Sequence, residues 1–139
     1  MPRRRWHRAV FLLAGIYNLA WGSLTTVYPA WFFTVFVMEP INYPEVFACL
    51  GMAIGLYGIL FLRVAWCPEN HWPIAAVGLA GKTLGALAWF YLVWIGRWPA
   101  ATLIVCATND LIWWLPFWMY LFDVWQWHRQ HKAETHWAG

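Results

Sequence analysis

The sequence predicts an all-α fold, an integral membrane four-helix bundle with a short interfacial or re-entrant segment between helices 1 and 2. Three observations predict it. Hydrophobic residues make up 63% of the chain and charged residues only 11%. That charged share is less than half that of an ordinary soluble domain, too small to cover a water-facing surface. Four apolar runs each come close to the ~20 residues that a helix needs to cross hydrocarbon. The basic residues gather mainly at the chain ends, beside the apolar runs. Residues 1–139 read as a single membrane domain.

The first helix is expected over residues 9–28, from Ala9 to Tyr28. Twin arginines before an apolar run resemble an export signal. This run is longer than a signal's apolar core, contains Asn18, Trp21 and Gly22, and is not followed by a small-residue cleavage site, so it reads as a retained helix. Pro29 to Pro44 encloses Trp31–Met38, which is apolar but too short to span. Prolines punctuate it, and Trp31, Phe32, Phe33 and Phe36 suit an interfacial position. The remaining helices are expected over 44–64, 73–95 and 100–122, each opening near a proline. Proline is tolerated in a first turn, where its missing N–H would have had no partner. Residues 123–139 then form a tail.

Arg3, Arg4, Arg5 and Arg8 place the N-terminus in the cytoplasm, so Arg63–His71 and the C-terminal tail fall on the same side. Of the basic residues, only Arg97 stands on the opposite side. The expected location is the bacterial inner (cytoplasmic) membrane, with both termini cytoplasmic. Basic ends beside apolar helices meet anionic membrane lipid. Nucleic-acid binding is excluded, because the aromatics that would stack on bases lie in or beside membrane segments.

Small residues form stripes. Gly15, Asn18 and Gly22 share a face of the first helix; Gly51, Gly55 and Gly58 recur on the second; Gly78, Gly81 and Gly85 recur on the third. All three predict close helix packing, since lipid supplies no hydrophobic drive for helices to associate.

Two charges fall near the middle of spans. Lys82 lies ~14 Å from Pro73 along the third helix, and Asp110 lies ~18 Å from Phe122 along the fourth. Asn18, ~14 Å from Ala9, reaches a similar level, and Asn109 neighbours Asp110. Isolated charges at that depth cost several kcal/mol, so they pair or line a wet cavity. One reading is a Lys82–Asp110 ion pair that fixes helix register, with Asn18 hydrogen-bonded nearby. The other is a ligand or ion site on the same residues. Trp21, Trp89, Trp113 and Trp114, with Trp118, surround this centre, and Pro116 should bend the fourth helix just beyond it. Such a pocket suits a flat amphipathic molecule, a quinone or a lipid; ordinary aromatic packing is the alternative.

No catalytic set is evident. No histidine stands mid-span, which argues against a bis-histidine haem. Cys49, Cys67 and Cys106 are odd in number and scattered, so they predict neither a disulfide framework nor a metal centre. His128, His131 and His136 read as part of a solvated basic tail, and Cys67 with His71 lacks companion ligands.

The segments Tyr17-Asn18-Leu19-Ala20-Trp21-Gly22, His71-Trp72-Pro73-Ile74 through Gly81-Lys82, and Asn109-Asp110-Leu111-Ile112-Trp113-Trp114-Leu115-Pro116-Phe117 carry a resemblance. They resemble a family of small, uncharacterised bacterial four-helix membrane proteins, and the likeness covers most of the chain. Some members carry the name alkyl hydroperoxide reductase. That chemistry needs a peroxidatic cysteine, and here Cys49 and Cys106 lie in apolar helices. The architecture is remotely similar to DoxX-like four-helix proteins, some of which are linked to quinone-dependent oxidation.

The function expected from all of this is a non-catalytic polytopic membrane protein. It would be an accessory subunit, partnered by other membrane chains or by its own copies, or a small-ligand-binding module. The alternatives are a small transporter or a quinone-linked membrane redox protein. Small multidrug exporters carry an essential Glu in their first helix; the mid-helix polar residue here is Asn18, which cannot cycle a proton.

Overall fold

Helix α1 runs Arg4–Val27, a short α2 Trp31–Val35, α3 Pro44–Trp66 and α4 Trp72–Trp94. The last long segment is irregular. It opens as a 3-10 turn at Ala100–Thr102, continues as α5 (Leu103–Cys106), widens into a π turn at Ala107–Leu111, and ends as α6 (Ile112–His136). This computed structural model describes residues 1–136, with side chains described through Gln130. Among the described residues, four helical segments are long and apolar enough to cross a membrane, and by that measure the chain is a multi-pass membrane protein.

Two boundaries differ from the sequence expectation. Helix α1 begins at Arg4 rather than Ala9, and the last helix continues through the expected tail to His136. Both extensions have the same cause. Arg3 forms a forked ion pair with Asp123, at 2.9 and 2.6 Å, and His7 is fully buried against the same carboxylate. Long-range partners therefore hold residues that hydropathy assigns to solvent. The side chains of His131 and His136 lie outside the described residues.

The bundle has a basic end, with the N-terminus, the α3–α4 loop and the end of α6. Its other end is aromatic, formed by α2 and the Gly96–Pro99 turn. Gly96 makes that turn possible with φ of 70°, a left-handed conformation open to glycine. At the aromatic end Phe32 is buried against Phe47, Trp89 and Trp98. The short segment thus closes the bundle from that side.

Helices α1 and α3 meet backbone to backbone. A Cβ on Gly22 would lie 2.5 Å from the Gly55 nitrogen, and one on Gly58 would lie 2.8 Å from the Gly15 carbonyl oxygen. One on Gly51 would lie 2.7 Å from the Thr26 nitrogen. This is close packing of the kind expected from the stripes on these two helices. The α4 stripe behaves differently, contrary to expectation. At Gly81 an added Cβ meets nothing within 4 Å, and at Gly78 the vacancy is filled by the Phe61 ring, 2.6 Å from where a Cβ would sit.

Phe61 belongs to the core, which occupies the basic half of the bundle. Phe11 packs on Phe117 at 4.5 Å between ring centroids and on Tyr120 at 4.7 Å, and Phe61 stands edge-on to Phe117 at 5.2 Å. Above Phe61, α3 follows α1 while α4 follows the last segment, and a gap separates them.

The two glycine classes predict opposite mutational responses. Gly22→Leu or Gly58→Leu drives a side chain into facing backbone and should cost about 3 kcal/mol. Gly81→Ala should stabilise α4 by roughly 0.5–1 kcal/mol, by restricting the unfolded chain. Unfolding in mixed micelles followed by circular dichroism checks the order; an equal loss at all three positions would contradict it.

Candidate functional site: a cleft between α3 and α4

The gap is a cleft of about 260 Å³. Its walls carry Asn18 from α1, Leu50, Ile54, Tyr57 and Phe61 from α3, Gly78, Gly81, Lys82, Gly85 and Trp89 from α4, and Asn109 and Asp110 from the π turn. Its length from Gly78 to Trp89 along α4 is ~16 Å by helical rise. Phe61 closes it towards the core and Trp89 towards the aromatic end. The exposed members of the lining are Leu50 and Gly81, so the mouth opens sideways between α3 and α4, where a membrane helix faces lipid.

The polar wall is built by the π turn. A π turn widens the helix and displaces its carbonyls from the regular ladder, and such turns recur at functional sites. Here the Asn109 carbonyl accepts a 2.5 Å hydrogen bond from Lys82 Nζ, and the Thr108 carbonyl accepts one from the Trp113 indole N–H at 3.2 Å. Pro116, one turn further on within α6, removes the donor that the Ile112 carbonyl would otherwise use. The distortion therefore begins before the proline, at the charged residues themselves.

Lys82 and Asp110 come together as the sequence predicts, but loosely: Nζ and Oδ1 are 3.8 Å apart. Asp110 Oδ1 instead accepts a 2.9 Å hydrogen bond from the Asn109 amide. An ammonium carries three donors, and one is spent on the Asn109 carbonyl. Asp110 Oδ2 lies 3.5 Å from where a Gly85 Cβ would stand, so the glycine keeps the space beside it open.

Asn18 reaches the same cleft and is only 5% exposed. It was expected to be hydrogen-bonded near the pair, yet its amide has no partner among the described residues. It opens instead onto the cavity. Asn109 is held differently again, with its carbonyl engaged and its side-chain Oδ1 buried without a partner among the described residues.

The aromatic wall needs correction. Of Trp21, Trp89, Trp113 and Trp114, only Trp89 lines the cleft, tethered through its indole N–H to Thr102 Oγ1 at 3.0 Å. Trp21 packs edge-on against Trp31, and Trp113 lies against Tyr17. Trp114 buries an indole N–H without a partner among the described residues, and Trp118 is 61% exposed. Helical spacing puts these rings at the right level, but which way each points depends on the neighbours of its helix and, for Trp113, Trp114 and Trp118, on the path of the distorted segment.

A second polar cluster, at the basic end, was not anticipated. Asp123 is buried and accepts from Arg3 while its Oδ2 lies 2.7 Å from His7 Nε2; Tyr120 stands edge-on to His7 and donates to the Pro68 carbonyl. Arg4 pairs with Glu69 at 2.6 Å, and the Glu69 carbonyl lies 3.1 Å from His128 Nε2. The signal available in the sequence was spacing: Arg3, just before α1, four residues from His7, and Tyr120 with Asp123 on one face of α6. Among the described residues, no three side chains of His, Cys, Asp and Glu converge as a metal site would require.

No family model, curated protein or solved structure matches the chain.

The clamp predicts unequal losses. Asp123→Ala leaves buried His7 without its partner and should cost about 3 kcal/mol. Glu69→Gln breaks a half-exposed pair and should cost less than about 1 kcal/mol. Burial raises the Glu69 carboxyl, but its own backbone N–H and the Arg4 guanidinium more than offset this and hold it below its ordinary value of 4.5. A lowered value means that the contribution is full above 4.5 and is lost as pH falls through the lowered value. Unfolding midpoints measured down to about pH 3 should therefore show the wild-type and Glu69→Gln curves converging in acid.

Proposed function

We propose that this chain is a non-catalytic multi-pass membrane protein that binds a small amphipathic molecule in the α3–α4 cleft. The observation that carries this is Asn18, an almost fully buried amide facing a cavity with its hydrogen-bonding capacity unspent. A buried amide left unpaired costs roughly 1–3 kcal/mol. Together with the donors remaining on Lys82 and the free Asp110 Oδ2, it forms a three-sided polar head site.

The rest of the lining supports the class of ligand. Leu50, Ile54, Tyr57 and Phe61 suit an apolar body, and the sideways mouth suits entry from lipid. A quinone fits this pattern: its carbonyl oxygens can accept from Lys82 and Asn18, and Asp110 can accept from the hydroxyl of the reduced form. The setting we propose is a bacterial inner membrane with both termini cytoplasmic, supported by the crowding of arginines at the basic end. Membership of the small four-helix family resembled by the Tyr17–Gly22 and Asn109–Phe117 motifs is part of the same reading.

The test is titration of a short-chain benzoquinone and its quinol into the protein in lipid nanodiscs, read by native mass spectrometry. Saturable binding of one molecule per chain is expected, weakened about tenfold by Asn18→Leu and more strongly by Lys82→Met. Binding that neither substitution alters, or no saturable binding, would sink the proposal.

A further inference from the structure

A different surface at the basic end points to a second ligand. Between the first turns of α1 and the last turns of α3 lies a groove of about 470 Å³, lined by Arg5, Arg8, Ala9, Leu12, Leu62, Ala65 and Trp66. Its chemistry is graded along the helix axis. Arg5 and Arg8 share a face near the helix end, and Leu12 continues that face one turn deeper. On α3 the exposed Trp66 stands at the end and Leu62 one turn deeper.

The charges at this end do not balance locally. Asp123 is engaged by Arg3 and His7, and Glu69 by Arg4, both away from the groove. Arg8 donates through Nε to the Ala65 carbonyl at 3.0 Å, which fixes its guanidinium beside α3 without neutralising it. Arg5 has no carboxylate partner among the described residues. The groove therefore presents two uncompensated cations above an apolar floor, with an indole beside them.

We infer that this groove binds one anionic phospholipid. Its phosphate sits between Arg5 and Arg8, and one acyl chain descends along Ala9, Leu12 and Leu62. Charge complementarity selects the headgroup, since basic pockets between membrane helices recruit anionic lipid. The apolar floor selects a lipid over a free anion, and Trp66 suits the interfacial level where the headgroup lies.

The experiment uses the full chain in mild detergent, with phosphatidylglycerol or phosphatidylcholine added and retention read by native mass spectrometry. One phosphatidylglycerol per chain should be retained in preference to phosphatidylcholine. Arg5→Gln should weaken retention about fivefold, and Arg5→Gln with Arg8→Gln more than that. Arg5 is exposed and makes no hydrogen bond or ion pair among the described residues, so its variant keeps the fold even where Arg8→Gln disturbs the Ala65 contact. Arg97→Gln, at the opposite end, should leave retention unchanged. Equal retention of the two lipids, an equal loss with Arg97→Gln, or full displacement by millimolar inorganic phosphate would each overturn the inference.

Discussion

The close approach of α1 and α3 sets the spacing of everything else in this protein. Glycines at positions 15, 22, 51 and 58 leave no room for side chains between the two backbones, and Thr26 adds a hydrogen bond across the seam to the Ala48 carbonyl at 3.4 Å. In lipid such contact is held by dispersion and by the freedom of backbones to touch. A helix drawn this close to one neighbour stands back from the next. The α3–α4 gap is the geometric consequence, and the cleft occupies it.

Within that gap the π turn solves a problem of charge. A lysine and an aspartate deep in an apolar bundle are costly unless they are well solvated by protein. Regular helix offers few free acceptors at that level. Widening the helix at Ala107–Leu111 turns the Asn109 carbonyl towards Lys82 and lets the Asn109 amide hold Asp110. The two charges then need not meet at close range, and their separation of 3.8 Å leaves capacity facing the cavity. A pair serving register alone would gain from tighter contact. Asn18, on a different helix and also unspent, fits the same logic.

The basic end shows how few carboxylates can organise many arginines. The chain has six acidic residues against nine lysines and arginines, and at this end two carboxylates each hold one arginine. Asp123 joins the start of α1 to α6, and Glu69 joins α1 to the α3–α4 loop. These bonds divide the arginine cluster into a structural part, Arg3 and Arg4, and an outward part, Arg5 and Arg8. The division gives that end of the bundle one face that is neutralised and one that stays cationic.

How much was legible in the sequence follows from the range of the forces involved. Composition and apolar run length determined four spanning helices, because lipid demands internally satisfied backbone whatever the helices later touch. Depth along a helix also follows from counting residues, so Lys82, Asp110 and Asn18 could be placed at one level before any packing was known. Rotation about each axis could not. Trp21, Trp113 and Trp114 stand at suitable heights but point elsewhere: the π turn changes the angular step ahead of Trp113 and Trp114, and Trp21 on α1 turns to Trp31. Spacing alone also cannot separate a glycine that touches backbone, such as Gly22, from one that faces a cavity, such as Gly81; that depends on which helix stands opposite. The ends of α1 and α6 likewise depended on partners that are far away in the chain. The sequence by itself determined the membrane-spanning class and the height of its polar residues. Only the tertiary structure decided their directions, because direction is set by which neighbours the backbone allows to come close.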